Sequence, residues 1–171
     1  MGEALTAPFA VAAGVLCVAA LAKLRVPAPA TRALASLGLP GGAGVIRAFA
    51  AAELGLGAWA LVSPTPAAGA LLACVYAGFS VLTMGLWRRA QSCGCFGADG
   101  APATPLQALI SALLAAASAS AAAGSPRGLA WILERPPGSV AVLILGTAAA
   151  VYGTVLAYSE LPRAWRSWSP Q

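Results

Sequence analysis

The sequence predicts an all-α fold, a polytopic membrane helical bundle of about five transmembrane helices, built as a single integral membrane domain over residues 1–171. Two observations indicate this fold. Hydrophobic residues make up 60% of the chain and charged residues only 9%, which is too little charge to cover a water-facing surface. The charged residues also lie between long apolar stretches instead of alternating with them along helical faces. Lipid must therefore solvate much of the protein surface.

Five apolar segments are long enough to cross a bilayer once each. Turns rich in proline and glycine separate them, so helices are expected to stop and start at those turns. The first segment is preceded by Glu3 and by no basic residue, which favours a retained first helix over a cleaved signal. The predicted spans are residues 5–22, 45–62, 67–87, 105–124 and 140–157.

The connections and the small residues refine this picture. Between the first two spans, Thr31 is predicted to cap a short helix that ends at Gly38 and lies in the membrane interface. Small residues recur at spacing four from Gly69 in the third span and from Gly146 in the fifth. We expect both stripes to let neighbouring backbones approach closely, which predicts one compact bundle.

Basic residues are divided unequally between the two ends of this bundle. The positive-inside rule then predicts a multi-pass plasma-membrane protein with its N-terminus outside and its C-terminus in the cytoplasm. Because no basic run is interleaved with aromatic residues, we expect the bilayer and not a nucleic acid as partner. Eight basic residues lie at the predicted inner end (Lys23, Arg25, Arg32, Arg47, Arg88, Arg89, Arg163, Arg166) and two at the outer end (Arg127, Arg135).

The segment Cys93-Gly94-Cys95-Phe96-Gly97 follows the third span and has the composition of a redox site. Two thiols at this spacing are close enough to form a disulfide, since Gly94 relaxes the backbone, and the nearby guanidinium groups favour the reactive thiolate. Capture of a soft metal ion is the rival interpretation, and a pair without a role is the third. A closed metal site would need further ligands, and the chain has no histidine. No metal-ligating set is therefore predicted.

The other two cysteines differ in their predicted depth in the membrane. Cys17 lies about 8 Å from the inner end of its span and Cys74 about 20 Å from that face. Cys17 is therefore the better candidate for a resolving thiol, although it also fits as a core residue. Cys74 is interpreted as a small apolar residue of a membrane helix.

Glu53 is a carboxylate placed about 12 Å inside the second span, where an ionised group is costly unless it is paired. Arg47 is six residues away and so lies on roughly the opposite side of the helix. Lys23, Arg25 and Tyr76 are the better candidates for its partner. Two interpretations stay open: a proton site or polar contact for a cofactor, and a structural bond between helices.

Three segments together resemble the family of the methylamine-utilisation protein MauE, within the DoxX-like group of redox-associated membrane proteins. They are Ala22-Lys23-Leu24 before a proline, Ala51-Ala52-Glu53-Leu54-Gly55, and the Cys93-to-Gly97 motif. The similarity covers roughly residues 8–124 and implies a four-helix MauE-like core, to which this chain adds a fifth C-terminal transmembrane helix. It also implies a thioredoxin-like partner, a role in disulfide formation or in maturation of exported enzymes such as methylamine dehydrogenase, and Cys93 and Cys95 as the redox pair. A quinone acceptor follows only by analogy with other small-bundle disulfide enzymes, since no cofactor motif is evident.

These observations lead to one main hypothesis and two alternatives. In the main hypothesis the chain is a membrane thiol–disulfide redox protein, and if it is an enzyme, a thiol-disulfide oxidoreductase, with Cys93, Cys95, Glu53 and Cys17 as its catalytic residues. The alternatives are a membrane carrier for mercury or copper ions, and a non-catalytic assembly factor for other membrane subunits. The predicted orientation puts the thiols on the cytoplasmic side, where thiols are usually reduced. Either the pair imports reducing equivalents or the orientation is reversed.

Overall fold

The structure, a computed structural model, describes residues 2–94, 102–124 and 126–160. Within these ranges the chain forms helices and no strand, and five of the helices are long and apolar enough to cross a membrane: α1, α3, α4, α5 and α7. The predicted polytopic helical bundle is thus confirmed. Cys95, Arg163 and Arg166 lie outside the described residues. The helices are α1 (Gly2–Arg25), α2 (Ala28–Ser36), α3 (Ala43–Val62), α4 (Pro66–Arg88), α5 (Pro105–Gly124), α6 (Leu129–Leu133) and α7 (Pro137–Ser159).

The five long helices coincide with the predicted spans to within one helical turn at each end. Proline stands in the first turn of α4, α5 and α7, where it has no hydrogen bond to lose and its fixed φ suits a helix. At α4, Thr65 adds a side-chain cap by accepting from the Ala68 N–H at 3.2 Å. Hydropathy and turn chemistry therefore specify the same boundaries.

The short helix α2 begins earlier than the sequence predicts. Pro27 occupies the N-cap position and Thr31 lies inside the helix, where its Oγ1 donates to the Pro27 carbonyl oxygen at 3.1 Å. The prediction of a Thr31 cap is therefore wrong, because Pro27 and Pro29 already hold the backbone in a conformation that starts a helix. The predicted stop is correct, since Gly38 has φ +76° just beyond the last turn.

Small residues set the closest helix contacts, but only one of the two predicted stripes does so. A Cβ on Gly69 would lie 2.9 Å from the Ala122 backbone nitrogen, so α4 and α5 pack backbone to backbone there. Around Gly146, by contrast, a Cβ would meet nothing within 4 Å among the described residues. The expectation for the fifth span is wrong because α7 docks through Val151, whose side chain fits against Gly14 of α1.

The buried core lies where α1, α4 and α5 meet, and α3 and α7 flank it. Its members are mostly alanine, leucine and aromatic side chains, which is typical of helices that must pack closely within lipid. Tyr158 is the buried residue that α7 contributes. We use the term Cys93 end for the end of the bundle where α1 and α4 finish and α3 and α5 begin. Lys23 and Arg88 lie at this end.

Candidate functional site

A buried ion pair joins α1 to α3 near the Cys93 end. Lys23 Nζ donates a hydrogen bond to Glu53 Oε2, and the two residues are only 6% and 2% exposed. Of the three partners that the sequence offers for Glu53, the structure selects Lys23, while the Tyr76 hydroxyl donates to the Ala12 carbonyl oxygen at 2.6 Å. Each charge offsets the cost of burying the other, so the pair favours one rotation of α1 relative to α3 about the helix axes.

The surroundings provide hydrogen-bond partners for only part of this pair. Glu53 Oε1 is buried and has no hydrogen-bond partner among the described residues. On the other side, Lys23 Nζ lies 4.7 Å from the centroid of the Phe79 ring, a cation–π contact. A buried acceptor without a donor costs free energy, which makes this carboxylate a place where a proton or a polar ligand would be stabilised.

The connection from α4 to α5 carries Cys93 and is closed at its base. Ala90 adopts φ +53°, which turns the chain after the end of α4. Ser92 and Pro102 then form an isolated antiparallel bridge, and the Ala103 N–H donates to the Gln91 carbonyl oxygen at 2.8 Å. The two ends of the connection are thereby pinned together, so Cys93 has a defined position.

Cys93 is disulfide-bonded and half-buried. Its side chain packs against a small apolar cluster that includes Ala33 and Leu86, and its Sγ lies 3.8 Å from Thr83 Oγ1. A hydroxyl at this position can donate to a thiolate when the disulfide opens. Cys95, the predicted second member of the redox pair, lies outside the described residues, so the pairing stays a prediction.

Gly94 explains why the cysteine motif needs a glycine at its centre. Its φ is +62°, a conformation that other residues rarely adopt. A Cβ at this position would also lie 2.6 Å from the Pro29 carbonyl carbon, so the backbone of the motif sits directly on the start of α2. Arg89 Nη1 donates to the Ser36 carbonyl oxygen and holds the other end of α2. The short helix therefore serves as a support for the cysteine motif.

One apolar cavity connects Cys93 with Lys23. It has a volume of about 90 Å³, or about 530 Å³ when its open mouth is included. The polar side chains on its wall come from three positions, Lys23, Thr83 and Cys93. Its apolar wall comes from α2, α3 and α4: Ala30, Ala33, Leu34, Leu37, Ile46, Phe49, Phe79, Leu82 and Leu86. A ligand in this cavity would therefore lie against both Lys23 and Cys93.

The other two described cysteines are free thiols at different places in the bundle. A Cβ on Gly57 would lie 2.6 Å from Cys17 Sγ, so Cys17 packs into the α1–α3 contact and is not among the residues that line the Cys93 cavity. Cys74 is exposed on α4. The geometry favours the core interpretation of Cys17, while its role as a resolving thiol stays a prediction.

A hydroxyl pair that the sequence did not indicate lies on the far side of Lys23. Ser111 Oγ and Tyr158 Oη are 2.6 Å apart, and the Gln107 side-chain amide donates to the Tyr158 carbonyl oxygen at 2.7 Å. A cavity of about 20 Å³ lies between this hydroxyl pair and Lys23 and has room for about one water. Gln107 and Ser111 are four residues apart on an apolar helix, and this spacing was the available signal for a polar face.

The described part of the chain does not test the soft-metal alternative, because Cys95 lies outside it. Residues 2–94, 102–124 and 126–160 hold no group of three His, Cys, Asp or Glu side chains arranged to bind an ion. A pair of thiolates alone could still pass on a soft ion, so the carrier alternative stays a prediction. The arrangement that the structure does provide is a disulfide-bonded sulfur, an apolar cavity and a buried ion pair, which suits redox chemistry.

Comparison with known proteins gives one result over most of the chain. The family described as Methylamine utilisation protein MauE matches residues 3–125, which covers α1 to α5 and thus both the ion pair and the cysteine motif. No curated protein and no solved structure matches the chain significantly. The helices α6 and α7 lie beyond the matched residues.

Proposed function

The chain belongs to the MauE family of methylamine utilisation proteins, and from this premise we propose that it is a membrane thiol–disulfide redox protein. Cys93 and Cys95 exchange two electrons with a thioredoxin-like partner. The exchange supports disulfide formation in exported proteins, or their maturation, in methylamine utilisation. The enzymatic class is thiol-disulfide oxidoreductase.

The observation that carries this proposal is the position of Cys93. The residue is disulfide-bonded, and it lies at the end of membrane-spanning helices beside a cavity that leads to a buried ammonium group. A disulfide with Cys95 closes a very short loop, so it removes little chain entropy from the unfolded state and contributes little stability. Two neighbouring cysteines whose bond would add little stability are therefore better explained by reactivity than by structural need.

The exchange proceeds by two thiolate attacks. A thiolate of the partner attacks one sulfur of the Cys93–Cys95 bond, which gives a mixed disulfide and one free thiolate. The second thiol of the partner then attacks the mixed disulfide, loses its proton, and leaves as part of a new disulfide. The partner is oxidised by two electrons, and the cysteine pair is reduced and takes up two protons. Where Cys93 is the leaving group, the Thr83 hydroxyl at 3.8 Å stabilises its thiolate.

Trapping of the mixed disulfide tests this function. Cys93→Ser and Cys95→Ser variants are each expressed in the native membrane, quenched with acid, alkylated and purified without reductant. We expect at least one of them to carry a covalently bound thioredoxin-like protein that is released by dithiothreitol. Cys74→Ser is the matched control, because it removes an exposed thiol of the same chain and is expected to behave like wild type.

Two outcomes would contradict the proposal. In the first, neither single variant yields an adduct although both reach wild-type abundance in the membrane. In the second, a variant with serine at both positions still supports the maturation of exported proteins. The second outcome would favour a non-catalytic assembly factor, whose function needs only the packing faces of the helices.

A further inference from the structure

We propose that the cavity between Lys23 and Cys93 binds a lipid-soluble quinone, which accepts the electrons that the cysteine pair receives from its partner. This inference deepens the proposed function and depends on it for the direction of electron flow.

The source of the ligand follows from where the cavity lies. Three of its walls belong to helices that are apolar and long enough to span a membrane, namely α1, α3 and α4. Phe49, on the wall, is 55% exposed on the outer side of α3, so the mouth reaches the surface of the bundle. A site lined almost wholly by carbon and open toward lipid selects a ligand that is dissolved in the bilayer.

The size and shape of the cavity suit one substituted ring. An apolar cavity of about 150 Å³ can hold benzene. The cavity here is about 90 Å³, which is smaller than that, but it is open to the surface of the bundle. A quinone ring would therefore enter by one edge only and leave its substituents in the mouth. A hydrocarbon tail can continue along the exposed Phe49 into lipid.

The charge of the site favours a neutral acceptor over an anionic lipid. An ammonium group has three donor hydrogens, and Lys23 uses one of them for Glu53. The remaining donors can bind an acceptor oxygen in the cavity that Lys23 lines. Because Glu53 already neutralises the ammonium charge, a fatty acid or phosphate would bring an uncompensated negative charge into a buried place. A quinone carbonyl provides the acceptor without the charge.

The stoichiometry of a quinone also fits the cysteine pair. When the dithiol is oxidised, two S–H bonds break, one S–S bond forms, and two electrons and two protons are released. A quinone takes up two electrons, and its two carbonyl oxygens take up two protons, which gives the quinol. Lys23 donates one proton to the oxygen beside it and is reprotonated by a proton from the thiols, and the second thiol proton reaches the other oxygen through the mouth. Cys93 lines the same cavity, so the electrons pass at contact distance.

The test uses the full chain in lipid nanodiscs under anaerobic conditions. The protein is reduced, freed of reductant and mixed with decylubiquinone, whose fully substituted ring does not alkylate thiols. Quinol formation is followed by absorbance and the loss of thiols by maleimide labelling. We expect one quinol for each disulfide formed.

Ala33→Leu tests the cavity itself, because Ala33 lies on its wall and is only 7% exposed. Filling the cavity is expected to slow quinol formation roughly tenfold, since tenfold corresponds to about 1.4 kcal/mol and overpacking a buried site costs about 1–3 kcal/mol. Ala77→Leu, at an exposed position of α4, is the matched control and is expected to stay within about twofold of wild type. Should Ala33→Leu fail to fold, Leu37→Phe replaces it at a half-exposed position of the same cavity.

The outcomes separate this inference from the proposed function. If the filled-cavity variant forms quinol as fast as wild type, or if a variant without both cysteines forms it, the quinone site is refuted. If the filled-cavity variant still traps the partner but no longer reduces quinone, both proposals are supported. If wild type reduces quinone while no partner adduct can be trapped, the cavity inference stands and the thioredoxin-like partner is wrong.

Discussion

Replacing one member of the Lys23–Glu53 pair is expected to destabilise the protein far more than replacing both. Lys23→Met leaves the Glu53 carboxylate buried without its cation. Glu53→Met leaves the Lys23 ammonium with the Phe79 ring at 4.7 Å as its remaining partner among the described residues. Both side chains are at least nine-tenths buried. Breaking such a pair costs about 3–5 kcal/mol for each single variant. Glu53→Met is expected at the lower end of this range, because the cation–π contact remains.

The double variant Lys23→Met/Glu53→Met is expected to be at least as stable as wild type. Replacing a buried ion pair by apolar side chains of similar volume is neutral or stabilising by about 1–4 kcal/mol. Removing Glu53 Oε1, which has no partner among the described residues, also relieves a cost of about 1–3 kcal/mol. Wild type, the two single variants and the double variant form a double-mutant cycle. Thermal unfolding of each full chain in nanodiscs, followed by tryptophan fluorescence, measures the four stabilities.

Two results would refute this reasoning about the pair. One is single variants that unfold within about 0.5 kcal/mol of wild type, the range of ordinary surface substitutions. The other is a double variant whose loss equals the sum of the two single losses, since additivity would mean that the two charges do not interact.

The same double variant tests whether the Lys23–Glu53 pair does more than join two helices. If the pair only bonds helices, the stable double variant reduces decylubiquinone at the wild-type rate. We expect instead a loss of roughly 100-fold with the partner adduct retained, because the proton donor beside the ligand has been removed.

Three further predictions concern the cysteines and their setting. Gly94→Ala is expected to cost about 1–3 kcal/mol and to speed alkylation of the reduced motif, because its Cβ would meet the Pro29 backbone at 2.6 Å. The control Gly78→Ala, inside α4 with open space around it, should leave alkylation unchanged and stabilise the protein by about 0.4–1 kcal/mol. Cys17→Ala is expected to leave the partner adduct unchanged, since its sulfur packs at Gly57; slower resolution would instead establish it as a resolving thiol. An impermeant maleimide should label the reduced cysteine motif from one side only: the basic residues predict the cytoplasmic side, whereas oxidation of a partner of exported proteins requires the outer side, so cytoplasmic labelling would contradict that part of the proposed function.

Several parts of the site follow from local features of the sequence. Glu53 stands out because a carboxylate inside an apolar span needs a partner, and helical spacing alone removes Arg47 from the candidates. The choice of Lys23 among the remaining candidates depends on how α1 and α3 are rotated against each other, over a separation of 30 residues. The cysteine motif can be recognised from its composition, whereas its contact with α2 at Pro29 could not be predicted from the sequence.

Other parts were invisible in the sequence because they depend on contacts between distant helices. Ser111 and Tyr158 meet across 47 residues, and nothing in either local pattern indicates that they face each other. The cavity between Cys93 and Lys23 is likewise a product of four helices and one connection. The face by which α7 docks was predicted wrongly, since small residues at spacing four permit a close approach without requiring it.

The number and the limits of the membrane-spanning helices can be read from the chain alone, because the free energy of placing a residue in lipid depends mainly on that residue and its chain neighbours. Helix packing, in contrast, sets which charge Lys23 neutralises, what Cys93 lies beside, and which residues enclose the cavity. These outcomes depend on the rotation and depth of whole helices relative to one another. That arrangement is set by the packing of many side chains at once, such as Gly69 on Ala122 and Val151 on Gly14, and no single segment encodes it.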